Sequence, residues 1–256
     1  MGKRTEYEPG FFSWVDLTTS DAAAAKEFYG ALFGWEFEDN EIPGDGGVYT
    51  MCKLDGDYVA AIPGSTDAAP PHWNNYVTVA DVDESAAKAK ELGADMVEEP
   101  FDVMEAGRMA FFNDPTGAAL CIWQAGESIG AQRVNEPGCL TWNELHTPDP
   151  AKALEFYGGL FGWSSDELDT GEGNPSYTVI KKGERSNGGV MPAQEGESPN
   201  WIPYFVVESR DDAVAKVEEL GGQGGFQMDM EQGGKIGLMV DPQGAVFAVF
   251  EGRTDD

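Results

Sequence analysis

The sequence predicts an α+β protein made of two fused halves. Each half holds two strand–helix–three-strand units, so the chain carries four. Three observations predict it. The stretch SWVDLTTSDAAAAKEFYGALFGW from Ser13 to Trp35 returns as TWNELHTPDPAKALEFYGGLFGW from Thr141 to Trp163, with 14 of 23 positions identical at an offset of 128. Such self-similarity marks duplication of a folding unit. Within each half, segments of period two and of helical spacing alternate in one order, strand, helix, then three strands, which is run through twice. A DP-x-G turn precedes the last strand of both halves, at Asp114 and at Asp241. The expected domains are residues 1–126 and 127–256.

Each element follows from its residues. Trp14, Asp16 and Thr18 alternate with Val15 and Leu17, as in a strand with one face buried. Ser20 and Asp21 can cap a helix whose apolar stripe is Ala25, Phe28 and Leu32 and which stops at Gly34. The second copy starts its helix at Asp149-Pro150, with proline at the first helical position, and buries Ala153, Phe156 and Leu160. Glu36–Glu38 is strand-like, and 40–47 is a turn-rich loop. Val48–Leu54 and Tyr58–Ile62 form a hairpin around Asp55-Gly56. After a linker at 63–71, Asn74–Ala80 is a strand, and Asp83 caps a helix ending at Leu92-Gly93, with Val82 as a hydrophobic staple. Met96–Glu98, Arg108–Asn113 and Ala118–Trp123 complete the half. The second half repeats this with Trp201–Val207, a helix from Asp211 to Leu220, Lys235–Val240 and Ala245–Phe250. Gly221–Gly225 follows a helix and is expected to be a flexible turn. Residues 124–138 link the halves.

The chain carries 46 acids against 16 bases, a net charge of −30, spread without an acidic block. Such a surface repels phosphate backbones and anionic bilayers, so no nucleic-acid or membrane partner is expected. The longest apolar runs fall short of a membrane span. The start MGKRTEYEPG has no apolar segment after its basic residues, which points to the cytoplasm and leaves open export without a signal peptide. Cys52, Cys121 and Cys139 form neither a disulfide framework nor a zinc motif. Fusion can replace dimerisation, so a monomer or weak homodimer is expected.

Three features, D-x-x-x-x-x-x-FY-x-x-L-x-GW after a strand at Asp21 and Asp149, a strand followed by Asp-Val-Asp and a helix ending Leu-Gly at 79–93, and the DP-x-G turns, resemble the vicinal oxygen chelate superfamily of glyoxalases, bleomycin-resistance proteins and extradiol dioxygenases. The FY-x-x-L-FGW text is especially similar to two-domain actinobacterial members labelled hydroxylases or glyoxalase-like proteins. The resemblance implies paired βαβββ modules whose sheets curl around a cleft, with metal ligands on the first, a middle and the last strand. In this sequence those positions hold Trp14, Asn74 and Cys121 in one half and Trp142, Ile202 and Ala248 in the other. Indole, alkyl and methyl groups do not ligate hard cations. A divalent metal is therefore disfavoured, and no cofactor is expected.

What remains points to a small-molecule ligand. Alternation puts Asp16 beside Trp14, and Glu144 and His146 beside Trp142. A carboxylate desolvated against tryptophan can act as general acid or base, so Asp16, Glu144 and His146 are the candidate catalytic groups; a purely structural role for the paired acids is the competing reading. Trp14, Tyr76, Phe111 and Trp123 could wall one cleft and Trp142, Tyr204 and Phe250 the other, suiting an apolar or aromatic compound. The same rings could instead fill and close the clefts. Asn74, Arg108 and Cys121 complete the candidate ligand contacts, Arg108 either as a carboxylate anchor at a cleft mouth or as part of a surface ion pair. The leading reading is a binding protein without the usual metal site. The alternative is a metal-independent lyase or hydroxylase-like enzyme using Asp16 and Glu144.

Overall fold

A computed structural model describes residues 2–44, 47–66, 69–168, 176–230 and 233–254. Residues 45–46 and 67–68, inside two of the loops expected from the sequence, lie outside them. In chain order the described elements are β1 (Phe12–Thr18), α1 (Ala22–Phe33), β2 (Glu36–Glu41), β3 (Val48–Leu54), β4 (Asp57–Pro63), β5 (His72–Thr78), α2 (Val82–Glu91), β6 (Asp95–Val103), β7 (Gly107–Asn113) and β8 (Ala119–Ala125). The second half repeats the order with β9 (Leu140–Thr147), α3 (Pro150–Phe161), β10 (Ser164–Leu168), β11 (Tyr177–Lys182), β12 (Arg185–Pro192), β13 (Asn200–Val206), α4 (Arg210–Glu219), β14 (Gln223–Asp229), β15 (Lys235–Val240) and β16 (Val246–Glu251). This is the α+β pattern of four βαβββ modules.

The strands form two eight-stranded sheets of identical topology, β2-β3-β4-β1-β5-β8-β7-β6 and β10-β11-β12-β9-β13-β16-β15-β14. Strands β1 and β5 run antiparallel at the centre of the first sheet, each flanked by a parallel partner, β4 and β8. Central strands thus bring Trp14, Asp16, Asn74, Tyr76 and Cys121 into register.

Local chemistry sets the helix ends. Asp21 and Asp149 accept the amides of Ala24 and Lys152 at 3.0 Å, and Gly34 and Gly162 close α1 and α3 in the left-handed conformation. The cap of α2 is Asp81 and not Asp83: Asp81 accepts the Glu84 amide at 2.9 Å, Val82 is the first helical residue, and the Asp83 carboxylate is drawn to Arg108. Residues 223–225 also depart from expectation. They open edge strand β14, where a Cβ at Gly225 would meet the Leu238 carbonyl at 2.9 Å, so glycine serves a close strand approach there. Strand β10 is exposed at every position and polar but for its last residue, so it has no hydrophobic period to detect.

The hydrophobic cores ignore the boundary between halves. One joins Ala25, Phe28, Tyr29 and Phe33 of α1 to Phe205, Phe247 and Val249 of the second sheet and to Val214 and Val217 of α4. The other joins Val82 and Ala86 of α2, Phe112 and Ile122 to Phe156, Tyr157 and Phe161 of α3 and to Trp201. The opposite face of each sheet carries a second apolar cluster: it gathers Trp14, Tyr76, Cys121 and Trp123 in one half, and Trp142, Tyr204, Ile202 and Phe250 in the other. Among the described residues no helix is long and apolar enough to cross a membrane.

Candidate functional site

Each half centres on a carboxylate beneath an indole. In the first, strand pairing sets Asp16 opposite Asn74 and Trp14 opposite Tyr76. Asp16 is buried, and its carboxylate accepts from the Tyr76 hydroxyl at 2.6 Å, the Asn74 amide at 2.8 Å and the Tyr49 hydroxyl at 3.0 Å. The Trp14 indole donates to the Tyr49 oxygen at 3.1 Å. Asn74 also reaches the Thr18 hydroxyl at 3.0 Å, and His72 Nε2 lies 3.1 Å from Asn74 Oδ1. Burial pushes the Asp16 carboxyl above the ordinary carboxylate range, against these hydrogen bonds, which favour its charge. Burial and the adjacent Asp16 charge raise the Tyr76 and Tyr49 phenols well above their usual value, so both remain donors.

The second half repeats the plan with three changes, Glu144 for Asp16, His146 for Thr18 and Ile202 for Asn74. Glu144 Oε1 accepts from the Tyr204 hydroxyl at 2.6 Å and lies 3.0 Å from His146 Nε2, and the Trp142 indole donates to the Tyr177 hydroxyl at 2.9 Å. The other His146 nitrogen meets Glu197 Oε1 at 2.6 Å. Burial works against the His146 charge, but the two carboxylates outweigh it and raise its pKa above the usual imidazole value. His146 replaces Thr18 of the first half, and Ile202 replaces Asn74, so a neutral amide donor has given way to an imidazole held between two carboxylates.

Of the sequence-derived candidates, Trp14, Asp16, Asn74 and Tyr76 come together, with Cys121, Trp123 and Phe111 on the same apolar face. Trp142, Glu144, His146 and Tyr204 come together with Phe250 nearby on their own face. Burial raises the Cys121 thiol well above its ordinary range, which leaves it a poor nucleophile. Arg108 does not stand at the cleft. It alternates with Met109 and Phe111, sharing the helix-covered face with Ala110 and Phe112, and its guanidinium is spanned by Asp83 at 2.8 Å, Asp102 at 2.7 Å and the Pro100 carbonyl at 3.2 Å. The surface ion pair is therefore the correct reading of that arginine. Sequence reasoning missed Tyr49, Tyr177 and Glu197. The tyrosines had a signal, since they occupy alternating strands at the repeat's own offset of 128; Glu197, in a linker, had none.

Chemically, each centre is a carboxylate wrapped in proton donors at the floor of an apolar surface. It can fix the polar edge of a bound molecule or exchange a proton with it.

A family model described as the Glyoxalase/Bleomycin resistance protein/Dioxygenase superfamily matches residues 12–122, and a glyoxalase-like domain model matches residues 142–250. The chain is 44% identical over 98% of both chains to a protein of Mycobacterium tuberculosis named putative glyoxylase CFP32. It is 32% identical, over 97% of this chain and 96% of the relative, to the anthracycline biosynthesis protein DnrV of Streptomyces peucetius. Its fold is that of the Mn(II)-bound glyoxalase of Novosphingobium aromaticivorans (TM-score 0.68, 16% identity, covering 100% of this chain and 85% of the other) and of the 2,3-dioxygenase LapB of Pseudomonas sp. KL28 (TM-score 0.67, 15% identity, 96% and 94%). With both halves matched and relatives aligned end to end, the chain belongs to the glyoxalase/bleomycin resistance protein/dioxygenase superfamily.

Proposed function

We propose that the protein binds an apolar or aromatic small molecule against the sheet face opposite its helices without chelating a divalent metal. The observation that carries this is the hydrogen bonding of Asp16. Its carboxylate already accepts three hydrogen bonds, from Tyr76, Asn74 and Tyr49, and the groups packed around it are phenols, an indole and a thiol whose pKa burial raises. Phenol O–H and indole N–H groups are donors toward an anion or acceptor, not lone pairs converging on a cation. Ile202 and Ala248, at the corresponding second-half positions, offer no ligand atom. The donor set of the first half therefore fits a metal poorly, and no step is routed through one. The name anthracycline biosynthesis protein, carried by relatives such as DnrV, is in keeping with an aromatic ligand.

A second reading, a metal-independent lyase or hydroxylase-like enzyme, is favoured by one observation: Glu144, His146 and Glu197 form a hydrogen-bonded relay at the floor of the second face. In either case the proposed partner is one small molecule, with neither nucleic acid nor membrane, and a cytoplasmic chain acting as a monomer or weak dimer.

Metal analysis of purified protein, with calorimetric titration of Mn²⁺, Ni²⁺ and Zn²⁺, tests the first reading. We expect no stoichiometric ion; one lost on replacing Asp16 or Glu144 overturns it. Asp16→Asn and Glu144→Gln test the second: full activity in both, once a reaction is found, ends it.

A further inference from the structure

Resting on the small-molecule reading above, we infer that the two faces have diverged: the first is closed by the chain itself, and the second is the working site, shaped for a flat, uncharged or cationic polycyclic compound.

The first face is covered by the segment between the halves. Ala131 and Val134 pack into the cluster of Trp14, Tyr76, Cys121 and Trp123. Backbone bonds pin this cover: the Ala131 amide donates to the Ser13 carbonyl and the Gln132 amide to the Tyr58 carbonyl, both at 2.7 Å. The Trp123 indole donates to the Ser128 carbonyl at 2.9 Å, and the Tyr7 hydroxyl to the Ala131 carbonyl at 2.7 Å. Trp14 and Trp123 are left only 7% and 8% exposed.

The second face has no such cover among the described residues. Trp142, Tyr177 and Phe250 are only half-buried, and the apolar surface continues outward through Ile236 and Leu238 to strand β14. There Phe226 is 60% exposed and Met228 42%, and Met230, just past the strand, is 37% exposed. Met228 and Met230 lie on the face away from α4: Asp229, of opposite parity, bonds Arg210 of α4 at 2.9 Å, and the Met230 methyl and the Phe250 ring flank Gly234 together. An exposed apolar patch of this kind marks a binding surface. In the first half the apolar strip covers the inner part of this surface, around Trp14 and Trp123, while Val97, Phe101 and Met104 at its edge are exposed as their second-half counterparts are.

Composition narrows the ligand. Trp142, Tyr177 and Phe250, with Phe226 and two thioethers at the edge, present polarisable, flat contacts, which favour an extended ring system. The polar floor carries Glu144 and Glu197 against the single His146, within a molecule of net charge −30, so an anion is repelled and a cation attracted.

Three probes of one shape and different charge test this: 9-aminoacridine (cationic), acridone (neutral) and anthracene-9-carboxylate (anionic). They are titrated at roughly 0.5 M salt, which screens diffuse surface attraction to within a few Å. We expect one equivalent of the first two per chain and at least about ten-fold weaker binding of the third. Phe226→Ser and Met228→Ser change exposed side chains and leave the fold intact; each should weaken binding about ten-fold. Two equivalents per chain, or one equivalent indifferent to both substitutions, overturns the assignment to the second face and leaves the small-molecule reading standing. Failure of all three probes to bind overturns both. So does sedimentation as a tight dimer that excludes the probes, since the occupant would then be a second copy of the chain.

Discussion

The Tyr29 hydroxyl donates to the Asp241 carboxylate of the opposite half at 3.0 Å, and Tyr157 returns the same bond to Asp114 at 2.8 Å. Trp73 and Trp201 in turn donate to these two hydroxyls, and each aspartate holds the amides of its own DP-x-G turn. The two sequence motifs repeated in each half therefore meet each other across the molecule.

Tyr29→Phe and Tyr157→Phe should each lower stability by about 1–3 kcal/mol in urea denaturation, because a buried carboxylate oxygen loses its donor. A double-mutant cycle with Asp241→Asn should return a positive coupling energy for Tyr29; additive losses would show the bond to be energetically silent.

Burial raises the pKa of Asp16 in the folded state. Its contribution to stability is then fully present below the unfolded aspartate value of about 3.9 and is lost as pH rises through the higher folded value. Asp16→Asn removes the titration. Its stability relative to wild type should improve from pH 4 upward and then level off, which chemical denaturation at several pH values would follow.

His146 behaves in the same sense for the opposite reason of charge: its raised pKa means that its ion pairs stabilise the fold fully below the unfolded imidazole value of about 6.5 and fade as pH rises through the folded one. Imidazole NMR should find it titrating above 6.5. Glu197→Gln should lower that midpoint.

Chelation is expected to leave the melting temperature unchanged, and added Mn²⁺ to leave it unchanged as well, since a ligand that binds the folded state would raise it. Calorimetry with and without EDTA decides the point.

The fold was legible because duplication wrote each cap, stripe and turn twice. The Trp14–Asp16 pairing was legible from strand alternation alone. For Tyr49 the sequence held only its repetition as Tyr177; its approach to Asp16 was not legible, because that depends on how the hairpin folds beside β1. For Arg108 the sequence left a cleft-mouth anchor and a surface ion pair both open; strand register decides for the ion pair, since a side chain one position along from Gly107 points to the helices. Nor does any periodicity reveal that α1 packs on the far half's sheet. The FY-x-x-L-FGW text declares a helix, and only the tertiary arrangement shows that its tyrosine reaches across.

The shared cores have a last consequence. Because Phe28 and Phe33 are buried against Phe205 and Phe247, and Phe156 against Phe112, scission within the connecting segment would yield two fragments with raw, greasy flanks. Neither would be self-sufficient, and mixing them would reconstitute the whole. The polypeptide is in effect a tethered dimer of its own ancestor, and the tether, no longer needed for assembly alone, became free to acquire a second employment as a cap.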